Sequence, residues 1–332
     1  MSANQELFEL KFYKWEEEFK DKPYLRQPIG EKWEEYTWGE VGDMARRLAS
    51  GLKSLNLREG AHIGIYSKNC REWIISDLAI VMAGYVSVPF FPSLNGKELS
   101  YIMDYGDVDA LFIGKIETWD EIKNDLPAEM PIIRFPKYDG CSNVTKGHEW
   151  HEFINSHDPI QNPNNPKLSD LWTIIFTSGT TGNPKGVMLT YQAIDGIKVV
   201  LDDPNNPLGI KHTGNNDFIS YLPLNHIFER VVIEWCSFRY GGTISFVESI
   251  ETFGQNLKDV QPHVFAAAPR VWTKLQMGIL SKFPQKRLDT LLKIPVLSGV
   301  LKKLIRKGLG FSKVRVTVSG SAPMPVELIE WF

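Results

Sequence analysis

The sequence predicts a mixed α/β fold in which largely parallel sheets carry helices on both faces. Strand-like and helix-like stretches alternate between residues 62 and 113, and a buried strand pattern at residues 171–176 runs into a loop rich in Gly, Ser and Thr. Such alternation is typical of βαβ units and therefore of a parallel sheet. Ligands bind these sheets at the carboxyl ends of the strands, where this loop lies. The chain of 332 residues is long enough for roughly two domain-sized units.

The individual elements follow from periodicity and β-branched content. Residues 37–41 predict a short strand that enters a helix, and the apolar stripe of that helix consists of Val41, Met44, Ala45, Leu48, Ala49 and Leu52. The alternation then predicts a strand at 62–66, a helix at 71–83, a strand at 85–91, a helix near 97–105 and a strand at 110–113. Later strands are predicted at 187–189, 217–222, within 261–272 and at 314–319, and a helix at 191–201.

Composition and charge exclude several classes of protein. The formal net charge of −3 provides no basic excess for nucleic-acid phosphates, so we expect no nucleic-acid partner. The three cysteines are scattered, without a Cys-x-x-Cys pair, which indicates a reducing compartment. The chain does not open with a basic start and an apolar run, and its most apolar segment, residues 74–91, is broken by Asp77, Gly84 and Pro89. We therefore expect a cytoplasmic protein.

The loop after the strand at 171–176 is the stretch best suited to chemistry. It consists of Thr177, Ser178, Gly179, Thr180, Thr181, Gly182, Asn183, Pro184, Lys185 and Gly186. Glycines let the backbone turn with positive φ and approach a ligand closely, and successive N–H groups then form an anion-binding concavity. The hydroxyls and Lys185 add donors and charge, so the loop suits the phosphates of a nucleotide. A Walker-type loop is excluded because Lys185 follows Pro184, and the simpler alternative is a Ser/Thr/Gly-rich surface turn.

The string Thr-Ser-Gly-Thr-Thr-Gly-x-Pro-Lys-Gly closely resembles the signature of the acyl-adenylate-forming family, which includes acyl-CoA synthetases, firefly luciferase and peptide-synthetase adenylation domains. The resemblance implies that the loop binds the β- and γ-phosphates of ATP together with Mg²⁺. It gives Thr177 a place beside the metal and makes Thr177 and Lys185 catalytic. The nucleotide-binding positions that it implies here are Thr177, Ser178, Gly179, Thr180, Thr181, Gly182 and Lys185.

A second group of residues lies at 221–230, where Tyr-Leu-Pro-Leu-Asn-His-Ile-Phe-Glu-Arg turns from a strand into a helix. On spacing alone, a lone His226 at this corner is more often a satisfied core residue than a catalytic one. The segment is similar to one in long-chain acyl-CoA synthetases, which implies that His226 lies beside the acyl carboxylate and the α-phosphate. The following helix would then line the acyl pocket. Asn225 stands where those enzymes usually have Ala, and Tyr191 where His is common.

Two later segments resemble the same family. Residues 261–272 do so, and a buried strand that ends in a Pro turn is compatible with that resemblance. Residues 314–323 form a strand that runs into a Gly-Ser-Ala-Pro turn. In the family, the small residues of this turn let the adenine ring lie against the backbone. The resemblance therefore implies nucleotide-binding roles for Gly320, Ser321, Ala322 and Pro323.

Residues 147–152, Gly-His-Glu-Trp-His-Glu, invite comparison with a metalloprotease motif. That motif requires histidines at i and i+4, whereas His148 and His151 are three residues apart. We favour a solvated helix over a metal site at this position.

Residues 297–307 predict a basic amphipathic helix. Its predicted apolar face consists of Leu297, Val300, Leu301, Leu304 and Ile305, and its charged face of Lys302, Lys303, Arg306 and Lys307. Such a helix can dock on anionic lipid at the inner face of a membrane. An ordinary surface helix with a solvated charged face is the simpler alternative.

The end of the chain and the resemblance together suggest how the domains are organised. Phe332 ends the chain within an apolar-faced helix that has no cap, which favours an incomplete domain. The resemblance implies a partial N-terminal AMP-binding domain over 1–332, with one α/β subdomain at about 56–205 and a second, incomplete one at about 1–55 with 206–332. The small C-terminal domain with its catalytic lysine would be absent.

The function that the resemblance implies is ATP-dependent activation of a long-chain fatty acid to acyl-AMP and then, with CoA as co-substrate, to acyl-CoA. We expect this chain alone to bind nucleotide weakly and to form no thioester. Two alternatives stay open: an enzyme that passes the acyl group to a carrier protein or to oxygen, and a non-enzymatic remnant that binds nucleotide or acyl ligand. The sequence indicates neither the acyl chain length nor the oligomeric state.

Overall fold

The structure is a computed structural model that describes residues 8–30, 32–177, 184–201, 210–211 and 213–332. Its strands are β1 (Pro23–Ile29), β2 (Lys32–Thr37), β3 (His62–Ser67), β4 (Val86–Phe90), β5 (Val108–Gly114), β6 (Ile132–Arg134), β7 (His148–Glu149), β8 (Leu171–Thr177), β9 (Lys185–Thr190), β10 (Asp217–Ser220), β11 (Thr243–Phe246), β12 (Val264–Ala267) and β13 (Val316–Ser319).

The α-helices are α1 (Phe8–Glu18), α2 (Trp38–Ser54), α3 (Arg71–Met82), α4 (Gly96–Tyr105), α5 (Trp119–Ile122), α6 (Trp150–Asn155), α7 (Tyr191–Leu201), α8 (Ile227–Glu229), α9 (Cys236–Tyr240), α10 (Phe253–Val260), α11 (Pro269–Lys282), α12 (Gln285–Leu292), α13 (Pro295–Leu309) and α14 (Val326–Trp331). A π-helical turn, Arg230–Trp235, joins α8 to α9.

The described strands form two sheets. The first has six strands within the described residues, in the order β13-β12-β10-β11-β1-β2, and its pairs are parallel except β1 with β2. The second, counted over the same residues, has seven in the order β7-β6-β5-β3-β4-β8-β9, and there only β8 with β9 is antiparallel. The predicted mixed α/β fold with largely parallel sheets is therefore confirmed.

The two sheets draw on different parts of the sequence. The first takes its strands from residues 23–37 and 217–319, and the second from residues 62–190. The limits that the sequence suggests for the subdomains, about 56–205 and about 1–55 with 206–332, stay predictions.

The strand predicted to lead into the first long helix ends earlier than expected. Residues 38–41 belong to α2, because Thr37 caps this helix with a complete capping box. The Glu40 N–H donates to Thr37 Oγ1 at 3.2 Å, and the Thr37 N–H donates to Glu40 Oε2 at 2.7 Å. This pairing satisfies free N–H groups at the helix start and fixes the start at Trp38. The predicted apolar stripe is buried, apart from the half-buried Met44.

Helix α3 lies between the two sheets, and all of its residues are buried. It contacts β3 and β4 of the second sheet and β1 of the first. One continuous apolar cluster runs through this layer and includes Trp38, Trp73, Trp172 and Phe218, which come from both sheet systems. The two sheets are therefore held against one shared core.

The His148–His151 segment is only partly helical. His148 belongs to the short strand β7, and α6 begins at Trp150 because the Glu149 carboxylate accepts a hydrogen bond from the Glu152 N–H at 2.9 Å. Within the described ranges, no group of three or more His, Cys, Asp or Glu side chains is placed to hold a metal ion. Among the same residues, no helix combines the length and apolar character needed to cross a membrane.

Candidate nucleotide and acyl site

The strand before the predicted phosphate loop is buried and parallel to its neighbour. In β8 the residues from Trp172 to Phe176 are buried, and Ser87 of β4 pairs with Thr173. Strand β9 returns antiparallel to β8, so Thr177 and Lys185 lie opposite each other. Both of these side chains are exposed. The structure thus brings the first and the charged positions of the predicted loop together at the end of a sheet.

The centre of the loop is outside what the structure describes. Of the predicted nucleotide-binding residues, Ser178, Gly179, Thr180, Thr181 and Gly182 lie outside the described residues.

Hydrogen bonds join the carboxyl ends of strands from the two sheets. Asn69 follows β3, and its Nδ2 donates to Ser220 Oγ at 2.8 Å and to the Leu222 carbonyl at 2.6 Å. Its Oδ1 accepts from the Leu224 N–H at 3.0 Å. Because β3, β4 and β8 are parallel, Thr177 at the end of β8 lies on the same edge of the second sheet as Asn69 after β3. Asn69 in turn is joined to Ser220 of β10. The carboxyl ends of parallel strands are where this class of fold binds ligands.

Lys115 supports the same junction from behind. It follows β5, is 5% exposed, and its Nζ donates to the Asn69 carbonyl at 2.8 Å. Burial lowers the pKa of Lys115, because desolvation disfavours the ammonium ion. The Asn69 loop is therefore itself held in place by a buried contact.

His226 caps the helix that follows the β10 edge. Its Nδ1 accepts a hydrogen bond from the Phe228 N–H at 3.2 Å, and its ring is half-buried. A neutral imidazole whose Nδ1 accepts a hydrogen bond carries its proton on Nε2. His226 can therefore present an N–H donor to an anionic group, which suits a carboxylate or a phosphate oxygen.

Glu229 lies three residues after His226 and is fully buried. Its Oε1 accepts from Ser220 Oγ at 2.9 Å and from the Tyr221 N–H at 3.0 Å. Burial raises the pKa of Glu229 to about 8, and these hydrogen bonds oppose the rise only in part. The Glu229 carboxyl therefore holds a proton through most of the neutral range.

Arg230 ties the His226 helix to the second sheet. Its guanidinium is fully buried, and it donates to Asp77 Oδ2 at 2.5 Å, to Thr173 Oγ1 at 2.7 Å and to Glu234 Oε2 at 3.1 Å. It also lies 4.0 Å from the centre of the Trp172 ring. Burial raises the pKa of Glu234, the negative charge of nearby Asp77 adds to the rise, and the Arg230 cation opposes it only in part. The contact with Thr173 joins the helix after His226 to the strand that leads into the loop.

The Gly-Ser-Ala-Pro turn lies against the same helix. It follows β13, and a Cβ added to Gly320 would overlap the ring of Phe228, two residues after His226. Ser321 adopts a left-handed conformation, with φ of 67°. Ser321, Ala322 and Pro323 are exposed. The structure thus brings the predicted adenine turn into contact with the helix that His226 caps.

The two departures from the family pattern are both buried. Tyr191 is 3% exposed at the first position of α7. Asn225 is 3% exposed, and within the described part of the chain its Nδ2 has no hydrogen-bond partner. Neither residue has replaced a group to which the sequence analysis assigned chemistry.

No prediction from the sequence covers the contacts that Asn69, Asp77 and Arg230 make around the site. One signal was available for Asp77, which interrupts an apolar stretch and therefore needs a partner once it is buried. A surface cavity of about 630 Å³ lies elsewhere, between α1 and α2. It contains none of the predicted site residues, and the parallel-sheet edges are the better candidate site because they carry the donors that a phosphate or carboxylate requires.

Comparison with known proteins identifies the class. The family described as AMP-binding enzyme matches residues 12–332, so this chain belongs to the AMP-binding enzyme family. It is 29% identical to long chain acyl-CoA synthetase 5 of Arabidopsis thaliana, over 87% of this chain and 48% of that protein. It is likewise 29% identical to long-chain-fatty-acid–CoA ligase 5 of Rattus norvegicus, over 91% of this chain and 48% of that protein. The chain spans about half the length of these curated relatives.

Solved structures support the fold. The anthranilate CoA ligase AuaEII in complex with anthranoyl-AMP superposes with a TM-score of 0.75 at 17% identity, over 97% of this chain and 56% of that one. The A domain of a carboxylic acid reductase from Segniliparus rugosus, in complex with AMP and a co-purified carboxylic acid, gives 0.76 at 18% identity, over 99% and 58%. At these identities the likeness is one of fold alone.

Proposed function

We propose that the protein activates a long-chain fatty acid with ATP and transfers the acyl group to CoA. The single observation that carries the proposal is the contact between Gly320 and Phe228. It joins the predicted adenine turn to the helix capped by His226, at the edge where Asn69 connects the two sheets. The similarity to long-chain acyl-CoA synthetases supports the choice of substrates.

The first step is attack of a carboxylate oxygen on the α-phosphorus of ATP. The bond from that phosphorus to the bridging oxygen of pyrophosphate breaks, and acyl-AMP and pyrophosphate form. The protein then contributes mainly by aligning the two reactants and by stabilising the charge that develops on oxygen. In the second step the CoA thiol displaces AMP and gives the thioester.

The phosphate loop takes the β- and γ-phosphates in this proposal. Thr177 and Lys185, opposite each other across the β8–β9 hairpin, hold the two ends of a loop whose remaining binding groups come from residues 178–182. Mg²⁺ prefers oxygen ligands and is commonly bound by one or two protein groups together with substrate phosphates. The exposed hydroxyl of Thr177 at the end of β8 fits that requirement. Bound there, the ion would neutralise charge on the leaving pyrophosphate.

His226 takes the reacting carboxylate and the α-phosphate. Because its Nδ1 is used in capping, the Nε2–H is the group that can donate to an oxyanion. Gly320, Ser321, Ala322 and Pro323 take the adenine ring, which lies against the turn that packs on Phe228. We place the reaction in the cytoplasm, beside the inner face of a membrane that supplies the acid.

The test measures the two half-reactions separately. With ATP, Mg²⁺ and a long-chain fatty acid, pyrophosphate release reports adenylate formation, and thioester formation on added CoA reports the second step. We expect the chain of 332 residues to bind nucleotide weakly and to form no thioester. Steady acyl-CoA production by this chain alone would contradict that expectation, while the absence of nucleotide binding would contradict the proposed site.

The same assay separates the alternatives. Pyrophosphate release followed by transfer to a carrier protein or to oxygen, but not to CoA, would identify a different adenylate-forming enzyme. Binding of nucleotide or acyl ligand without pyrophosphate release, in a protein that carries all of the family's segments, would identify a non-enzymatic binding protein.

A further inference from the structure

Positive charge is concentrated in one part of a chain whose overall charge is negative. Between residues 269 and 315 there is one acidic residue, Asp289, whereas the net charge of the whole protein is −3. The basic residues of this stretch are all exposed and are Arg270, Lys274, Lys282, Lys286, Arg287, Lys293, Lys302, Lys303, Arg306, Lys307, Lys313 and Arg315. Across the described ranges, no ion pair joins any of them to a carboxylate.

Neighbouring helices cover only part of the apolar face predicted for helix α13 in this stretch. Leu301, Ile305 and Leu309 pack into a small cluster with α11 and α12. Leu297 and Leu304, assigned to the same face by periodicity, are instead 45% and 59% exposed. The predicted apolar face is therefore only partly covered, because α11 and α12 pack against one side of it.

The uncovered part of this face forms an exposed apolar stripe, which consists of Val296, Leu297, Val300 and Leu304. Val296 is 78% exposed and Val300 is 54% exposed. At 100° per residue, Lys303 and Lys307 fall within or beside this stripe on the helix surface. A contiguous patch of exposed apolar side chains is typical of an interaction site, whereas apolar side chains exposed singly are common on protein surfaces.

We propose that this stripe and its lysines dock α13 on an anionic lipid bilayer, with the helix lying in the plane of the membrane surface. A partner that binds both the apolar stripe and the lysines must have an apolar interior beneath a negatively charged layer. A bilayer with anionic headgroups has this structure. Lys303 and Lys307 lie beside headgroup phosphates or carboxylates, while the stripe enters the acyl boundary. The helix of 15 residues is about 22 Å long, so the contact extends over several lipids.

This inference deepens the proposed function, because it names the surface through which a long-chain acid could reach the protein from a membrane. Its test measures vesicle binding alone. A failure to synthesise acyl-CoA would therefore not contradict membrane docking. A failure to bind vesicles would not contradict the proposed chemistry.

The experiment is co-sedimentation of the protein with phosphatidylcholine vesicles prepared with and without phosphatidylserine. The charge variant is Lys303→Glu with Lys307→Glu, and the apolar variant is Val300→Ser with Leu304→Ser. Arg306 is left unchanged because its guanidinium donates to the Phe311 and Val314 carbonyls and supports the fold.

The matched control reverses two exposed lysines outside the basic stretch. Lys97→Glu with Lys137→Glu makes the same change in net charge at positions that are also exposed. A variant that still binds a nucleotide analogue is folded, so weak sedimentation can then be assigned to the surface.

We expect the unaltered protein and the control to sediment with the phosphatidylserine vesicles only. Each lysine near an anionic surface contributes about 1 kcal/mol, so the charge variant should bind about 30-fold more weakly. The apolar variant should lose about tenfold through reduced burial. Equal binding by the charge variant and the control would overturn the proposal. So would equal binding to both kinds of vesicle, or a dimer that the apolar variant dissociates while vesicles are not bound.

Discussion

Asn69 and Leu224 are joined by a hydrogen bond of 3.0 Å, from the Leu224 N–H to the Asn69 Oδ1. Leu224 lies two residues before His226, and Asn69 lies in the loop after β3 of the other sheet. The same side chain donates to Ser220 Oγ and to the Leu222 carbonyl. One amide thus positions the turn that carries His226 against the sheet that carries the phosphate loop.

Replacing Asn69 with Ala should weaken both the fold and the site. The Leu222 carbonyl and the Leu224 N–H would lose their partner in a half-buried position, which costs about 1–3 kcal/mol of unfolding free energy. Because the His226 turn would then be less well fixed, we expect the affinity for an acyl-adenylate analogue to fall by about tenfold. Chemical denaturation and calorimetry measure the two effects, and Asn124→Ala, at an exposed turn position, is the control. Tight binding by a destabilised N69A protein would show that Asn69 serves the fold alone.

His226→Asn separates capping from chemistry. Asn is a good N-cap and can accept from the Phe228 N–H as the imidazole does, so the unfolding free energy should change by less than about 0.5 kcal/mol. Pyrophosphate release in the presence of ATP, Mg²⁺ and a long-chain fatty acid should fall by about a hundredfold, because the Nε2–H donor is lost. His226→Ala should show the same loss of activity and a further loss of about 1 kcal/mol of stability. Unchanged pyrophosphate release in H226N would remove His226 from the proposed mechanism.

Gly320→Ala tests the contact between the adenine turn and the His226 helix. The added methyl group would overlap the Phe228 ring, so one element must shift, at a cost of about 1–3 kcal/mol of unfolding free energy. Nucleotide affinity should fall as well, and combining the change with Phe228→Leu should restore part of it. Gly278→Ala is the control, because a Cβ at Gly278 in α11 meets nothing within 4 Å. A nucleotide affinity that stays the same in G320A would argue against adenine binding at this turn.

Glu229 should make stability depend on pH. Its pKa is about 8 in the folded protein, whereas an unfolded glutamate titrates near 4.3, at roughly the model-peptide value. The folded state therefore binds the extra proton, so the contribution of Glu229 to stability is fully present below the unfolded pKa and is lost as pH rises to about 8. Glu229→Gln keeps an oxygen for the Ser220 hydroxyl and the Tyr221 N–H but does not ionise.

Relative to the unaltered protein, E229Q should therefore gain stability between pH 5 and pH 8, by an amount on the order of 5 kcal/mol at most. Urea unfolding at several pH values measures this difference, and the exposed Glu129→Gln is the control. Parallel pH profiles for E229Q and the unaltered protein would show that Glu229 is ionised at neutral pH in the folded state.

The sequence predicted the elements that depend on local pattern. Apolar runs and helical spacing correctly indicate the strands β3, β5 and β8 and the helices α3 and α4. The spacing of apolar residues in these elements reflects which of their sides is buried, so the pattern is visible in the sequence. The start of α2 at Trp38 was missed by a few residues, although the Thr37–Glu40 capping box is itself a sequence signal.

The contacts around the site could not be predicted in the same way. Asn69 is 155 residues from Leu224, and Asp77 is 153 residues from Arg230. No local pattern specifies which pairs a fold will bring together over such distances. Helix α13 shows the same limit, because its period predicts a helix but only the position of α11 and α12 decides which apolar side chains are covered.

Calorimetric titration with non-hydrolysable acyl-adenylate analogues tests the claim that an acyl-adenylate binds where the two sheet edges meet. One analogue carries a short acyl chain and the other a long one. We predict tighter binding of the long analogue, weakened by His226→Asn and by Gly320→Ala but not by Gly278→Ala. Binding of neither analogue, or binding that is the same in all of these variants, would contradict the claim.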